Sequence, residues 1–324
     1  MSKTKTKNLL SNGIIVFLLA AFCQLLWGSA FPMVKTGYKM FSISSSDSFS
    51  QILFAGLRFT GAGFLTLILG SVIYSRQKKE HSVKTMIPQK GDFKEIFILM
   101  LFQTVIQYIF FYLGLARASG VKSSVITSSS VFITIFISAL IFKSEPLTVR
   151  KVIGSLLGFA GIILINMNGL DLNLKFTGEG FILIAAVSYS FSSCFMKSFS
   201  KEKDPVMLSG NQFILGGIVL IITGLIGGGK IYPQNGKAFL VLFYLSFLSA
   251  AAYSIWSILL KYNDVSSIAV YGFLNPVFGV LLSILILREG NEISALTTVI
   301  SIILVAAGII SVNMKTRKQK TKNI

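Results

Sequence analysis

Titratable chemistry is scarce in this chain of 324 residues: one histidine, two cysteines and twelve acidic residues. The histidine, His81, lies in a charged stretch, and no His/Cys/Asp/Glu group has metal-ligand spacing, so neither a metal nor a cofactor is expected. Cys23 and Cys194 fall within apolar runs, where a thiol acts as a small apolar side chain and no external disulfide is expected. The acids (Asp47, Glu80, Asp92, Glu95, Glu145, Asp171, Glu179, Glu202, Asp204, Asp264, Glu289, Glu292) all fall in polar connections or at the ends of apolar runs. Paired acids for hydrolysis and a buried relay of carboxylates or histidines for protons are both missing from the run interiors. The sequence therefore argues against an enzyme and against a dedicated proton pathway. Glu145 and Glu289 are expected to be helix-end residues that hold loops.

Apolar residues dominate instead: 53% hydrophobic against 13% charged, with a mean hydropathy of +0.75. Runs of roughly 20 residues suffice to cross a bilayer, and ten are read, at 14–38, 51–74, 96–115, 121–142, 152–167, 180–199, 207–228, 238–260, 266–287 and 296–312. They lack the alternation of a β-barrel, so the fold class is an all-α integral membrane protein with ten transmembrane helices. The first run is too long for a signal-peptide core and is expected to be retained. The net charge of +18 collects in the amino-terminal tail, at 76–94, at 143–151, at 197–203, at Lys261 and in the carboxy-terminal tail. With ten spans these fall on one side, so the positive-inside bias puts both termini in the cytoplasm of a plasma-membrane protein. Basic tails beside anionic lipid account for the charge, and nucleic acid is not an expected partner.

The chain also contains itself twice. Residues 115–145 lie on 259–289 without a gap, at a constant offset of 144, pairing Val121 with Val265, Ser123 with Ser267 and Glu145 with Glu289. AGIILIN at 160–166 recurs as AGIISVN at 307–313; WGSAFPMVK at 27–35 lies on YSFSSCFMK at 189–197, and AGLRFTGAG at 55–63 on SGNQFILGG at 209–217. Five spans per half inverts the second half, giving two inverted five-helix repeats, 1–170 and 171–324. Such repeats are the sequence mark of a transporter built around a central site.

The motifs resemble the EamA-type members of the drug/metabolite transporter superfamily over nearly the whole chain. Trp27-Gly28-Ser29-x-Phe31 resembles the family's first-span start, and Arg58 stands where an arginine is frequent in the second. Glu145-Pro146-Leu147-Thr148 followed by Gly154 and Gly161 resembles its E-x-L-T…G…G pattern, and Asn275-Pro276 its ninth-span proline. The resemblance implies a ten-helix metabolite carrier, usually an exporter, without naming the substrate. Two departures stand out: Phe132 replaces the proline opposite Pro276, and Ser190 the glycine opposite Gly28.

The expected function is movement of small polar metabolites, amino acids or related compounds, by alternating access; the rivals are a lipid flippase and an importer of an organic solute. Candidate substrate contacts are Trp27, Gln107, Tyr112, Tyr189, Trp256, Tyr271 and Asn275. Gln103 and Gln107 are one turn apart and expected to share a face, while Tyr112 and Trp256 are repeat equivalents. Arg58 and Lys35 are possible anion contacts; Arg58 lies near enough to its helix end that its side chain is equally expected to snorkel to the headgroups. Pro32 and Pro276 are expected hinges, since a proline removes a backbone hydrogen bond and kinks the helix. Gly154, Gly158 and Gly161 form a stripe suited to close packing within the chain or in a homodimer.

Overall fold

The computed structural model describes residues 8–44, 46–76, 86–115, 117–118, 120–167, 175–287 and 295–314. Among these the regular structure is helical: α1 Gly13–Met40, α2 Ser48–Arg76, α3 Phe93–Leu99, α4 Gln107–Leu115, α5 Gly120–Ser128, α6 Ser130–Phe136, α7 Val149–Ile165, α8 Phe181–Phe199, α9 Pro205–Ile226, α10 Lys237–Tyr262, α11 Val265–Ala269, α12 Leu274–Leu287 and α13 Ala295–Asn313. π-Helical turns at Met100–Ile106, Ile137–Ile141 and Phe176–Gly180, and a 3-10 turn at Val270–Phe273, join several of them into longer runs.

Among the described residues eight runs are long and apolar enough to cross a membrane: Gly13–Met40, Ser48–Tyr74, Lys90–Leu115, Lys122–Ile141, Phe176–Phe199, Pro205–Ile226, Lys237–Tyr262 and Leu296–Asn313. The two remaining expected spans are also helical, but shorter. α7 has 17 residues, about 26 Å of helix against a hydrocarbon core of about 30 Å. The apolar stretch Val265–Gly279 is interrupted by its 3-10 turn. Large apolar side chains such as Phe64, Ile68, Phe97, Leu240, Phe243 and Ile226 are exposed around the outside. That arrangement is favourable only where the surrounding solvent is lipid.

Helix starts follow local capping chemistry. Asn12 Oδ1 accepts from the N–H groups of Ile14 and Ile15 at 3.1 and 3.4 Å, opening α1. Asp204 accepts from Val206 and Met207 ahead of Pro205 at the start of α9, where a proline gives up an N–H that has no helical partner. The serine-rich stretch 42–50 is more tethered than the sequence suggests. Asp47 caps α2 through the Ser50 N–H and hydroxyl, and the Ser50 hydroxyl accepts from the Lys230 N–H at 2.7 Å. The Tyr232 and Gln234 N–H groups donate to the Phe41 and Met40 carbonyls.

Glycine sets the closest crossings. α2 lies along α9, where a Cβ at Gly56 would sit 2.6 Å from the Ile221 nitrogen and 2.8 Å from the Gly217 oxygen. α7 lies along α13, where a Cβ at Gly154 would meet the Gly308 oxygen at 2.8 Å. Gly158 lies under the Phe273 ring, a Cβ there falling 2.3 Å from Cδ2. The glycine stripe of the fifth span is thus filled by the chain's own residues.

Helix ends gather into two groups, and each long helix has one end in each. In one group Tyr74 donates to Asp204, Lys203 pairs with Asp92, and Lys197 donates to the carbonyls of Lys261 and Asn263. There Glu145 accepts from Lys151 Nζ at 2.6 Å and from both the N–H and the hydroxyl of Ser266. Glu145 is therefore a buried clamp between the starts of α7 and α11, more than a loop holder. In the other group the 40–50 and 230–234 stretches meet, and Lys122 pairs with Glu179 at 3.3 Å. Glu289 lies outside the described residues.

Candidate functional site

Trp27 on α1 joins the two largest apolar clusters of the molecule. Its ring centroid is 5.0 Å from Tyr253 and 5.2 Å from Trp256, both edge-on, the arrangement that places a positive ring edge on a negative face. The Tyr253 hydroxyl shares a hydrogen bond of 2.9 Å with Tyr108. Tyr108 lies 4.3 Å from Phe59 and 6.1 Å from Tyr112, and Tyr38 lies 6.5 Å from Tyr112. The result is an aromatic wall drawn from α1, α2, α4 and α10, with Phe213 of α9 closing it 4.9 Å from Tyr253.

Polar atoms buried in this wall without a hydrogen-bond partner among the described residues include Trp27 Nε1 and Gln107 Oε1. Orphaned groups of this kind each cost about 1–3 kcal/mol, so a fold retains few of them. Trp27 Nε1 and Gln107 Oε1, set in one aromatic wall to which both halves contribute, mark the candidate site.

Of the expected contacts, Trp27, Gln107, Tyr112, Tyr189 and Trp256 come together here. Gln107 adjoins Tyr253, and Tyr189 on α8 adjoins Trp256 and Tyr108. Tyr271 is placed elsewhere: it is buried in the 3-10 turn with its ring 6.1 Å from Phe17, about 15 Å along α1 from Trp27. Asn275 is half-buried, and its carbonyl lies against Gly28, where a Cβ would be 3.4 Å away. Lys35 is exposed near the end of α1.

Two local features redirect the sequence reading. Met100–Ile106 is a π-helix, and Gln107 begins the α-helix that follows it. Gln103 accepts from Gln212 Nε2 at 3.3 Å on α9, and Thr104 donates to Gln212 Oε1 at 2.7 Å. Gln103 is thus taken up by a helix contact, while Gln107 adjoins Tyr253 in the wall. Arg58, in turn, does not snorkel. It is 4% exposed and points inward, its Nε donating to Ser249 Oγ at 3.0 Å and its guanidinium standing 5.1 Å over the Phe59 ring.

Only one of the two hinge candidates sits at a backbone irregularity. Pro32 is inside α1, and its carbonyl accepts from Thr36 Oγ1 at 2.9 Å. Pro276 is in the first turn of α12, directly after the 3-10 turn at Val270–Phe273. Its missing N–H falls where the helix has already been broken, the physical effect expected of it.

Tyr108, Tyr253, Tyr38 and Ser249 complete the wall. The sequence signals Tyr108 by its place one helical turn before Tyr112, and Tyr253 by its place in the segment of Trp256. Tyr38 and Ser249 carry no such signal.

A model of the EamA-like transporter family matches residues 11–167 and again residues 176–314. The chain belongs to the EamA-like transporter family. This EamA-like chain is 26% identical to the transporter YvbV of Bacillus subtilis (strain 168), over 95% of the chain and 94% of the relative. It is 24% identical to the inner membrane transporter YedA of Escherichia coli (strain K12), over 80% of the chain and 78% of the relative. A solved crystal structure superposes with a TM-score of 0.72 at 18% identity, covering 92% of the chain and 98% of that structure, which speaks for the fold alone. The protein is thus a multi-pass membrane transporter by family.

Proposed function

We propose that this transporter exports a small polar metabolite, an amino acid or related compound, across the plasma membrane by alternating access. Ten helices would form two inverted five-helix repeats, 1–170 and 171–324, with both termini cytoplasmic. The observation that carries the reading is the aromatic wall around Trp27 and Trp256, where both repeats contribute and buried polar atoms wait without partners. Apolar walls with a few convergent polar groups are the general form of a small-molecule site.

The packing supports the repeats, because the most extensive contacts have exchanged counterparts. α1 packs on α10 as α8 packs on α4, and α1 on α12 as α8 on α6. α2–α9 and α7–α13 are their own counterparts. Gly28 meets the Asn275 carbonyl, and Ser190 of the matching stretch donates to the Ser130 carbonyl at 3.1 Å. The two family matches fall one in each half. Rocking about Pro32, the π-turns at Ile137–Ile141 and Phe176–Gly180, and Pro276 would then open the site to one side at a time.

A second reading, movement of a lipid-like substrate, is favoured by one feature. A crevice of about 320 Å³ lies apart from the wall, lined by Val125, Ile126, Phe159, Phe176 and Leu183 with Lys175 and Glu179 at its edge. Purified protein in vesicles loaded with a mixed pool of water-soluble metabolites separates the two readings. Selective efflux of one soluble class, lost in Trp256→Ala, supports the first. No soluble efflux, with movement of labelled lipid between leaflets, overturns it in favour of the second.

A further inference from the structure

We infer that the carried substrate bears a carboxylate, and that Arg58 is the group that receives it. The inference rests on the central site proposed above and names the chemistry that site selects.

Arg58 is ten residues into α2, about 15 Å from its end and so near mid-membrane depth. A cation placed there, away from headgroups, is expensive unless paired. Among the described residues the ion pairs are Lys122–Glu179, Lys151–Glu145 and Lys203–Asp92, none of which reaches it. Nε is held by Ser249, while the two terminal nitrogens have no described partner. Those are the donors that bind a carboxylate in a two-toothed fork.

The repeat shows that the fold does not need this charge. In the matching stretch the position of Arg58 is held by Gln212. Gln212 is fully buried and engaged through both ends of its amide, with Thr104 and Gln103. A neutral amide therefore suffices for the helix crossing, and the guanidinium is surplus to it.

The neighbouring atoms agree in sign. Trp27 Nε1 is a buried donor with no partner among the described residues. Gln107 Oε1 is the unpartnered acceptor in the same wall. With a fixed cation, a free donor and no carboxylate at it among the described residues, the site takes an acceptor-rich anion. Arg58 acts electrostatically on Tyr108 and Tyr253, which places its charge against the aromatic wall itself.

The two tryptophans of the chain are Trp27 and Trp256, so tryptophan fluorescence, excited beyond the tyrosine band, reports on this site. Purified full-length protein is titrated with acetate, benzoate, phenylacetate and succinate, each beside its amide and beside inorganic phosphate. Wild type, Arg58→Lys, Arg58→Gln and Gln107→Leu are compared, with thermal unfolding measured in parallel. At least one carboxylate should perturb the fluorescence at a concentration about 10- to 100-fold lower than its amide. Arg58→Gln, which installs the residue of the other repeat, should unfold at nearly the wild-type temperature and lose that preference, and Arg58→Lys should keep part of it. Silence of every carboxylate overturns the inference, as does an equal response to inorganic phosphate. So does a preference that survives Arg58→Gln, or an Arg58→Gln protein that no longer folds while Arg58→Lys binds amide and acid alike. If amide and acid bind equally and Gln107→Leu weakens both, the carboxylate assignment falls while the central site stands.

Discussion

Replacing Gln107 by leucine should make the protein more stable and a worse carrier. The two side chains have nearly equal volume, so the change leaves little cavity. Gln107 Oε1 is buried without a partner, and removing such an atom relieves about 1–3 kcal/mol of uncompensated desolvation. Against this stands the contact of the amide with Tyr253, worth about 1 kcal/mol. The net gain is about 0–2 kcal/mol, read as an unfolding temperature unchanged or raised by a few degrees. If the substrate supplies the missing donor, its loss weakens binding by about 0.5–1.5 kcal/mol, a two- to twelvefold rise in half-saturating concentration. The assay is vesicle efflux of the substrate recovered from the mixed pool, with thermal unfolding of the same preparation. A destabilised Gln107→Leu protein with unchanged half-saturation would show that the amide serves packing, and the argument from orphaned atoms would fail.

Trp256→Ala should raise the half-saturating concentration about ten- to a hundredfold by removing a wall of the site, whereas Gly158→Ala, which drives a Cβ into the Phe273 ring, should lower the unfolding temperature with affinity retained in the folded fraction. At Glu145, burial alone would raise the pKa, but Lys151 and Ser266 hold the carboxylate below its ordinary 4.5. Its contribution is therefore present above about pH 4.5 and lost as pH falls further through the folded value, so wild type should lose stability in that acid range while Glu145→Gln, already weaker by about 3 kcal/mol, loses less; identical acid profiles would refute the clamp. Efflux should persist after a proton gradient is collapsed at constant membrane potential, since the buried carboxylates Asp92, Glu145 and Glu179 are paired with lysines at helix ends; abolition by a protonophore would make one of them a proton carrier. A cysteine at Lys320 should stay unreactive to an impermeant reagent in intact cells, and labelling there would reverse the proposed orientation.

The sequence by itself determined the helical class, the places where helices begin and end, the crowding of basic residues at particular ends, and the register of the internal duplication. These are local or additive properties: a run of apolar residues, a capping side chain or a repeated string carries its meaning without knowledge of distant contacts. It also brought Trp27, Gln107, Tyr112, Tyr189 and Trp256 into consideration together, because equivalent positions in a duplicated chain are expected at equivalent depths. Only the tertiary structure decided which way the polar groups point. Residues facing lipid and residues facing protein are equally apolar, so hydropathy does not separate them. The inward turn of Arg58 onto Ser249 therefore left no trace in composition. Gln103 pairs with Gln212 while Gln107 adjoins Tyr253, a division of partners that spacing along the helix does not assign. The 3-10 turn before Pro276 carried Tyr271 toward Phe17, far along α1 from the wall that Trp27 builds. Backbone departures of one residue in a helix cost little energy locally, and packing against neighbouring helices selects where they occur.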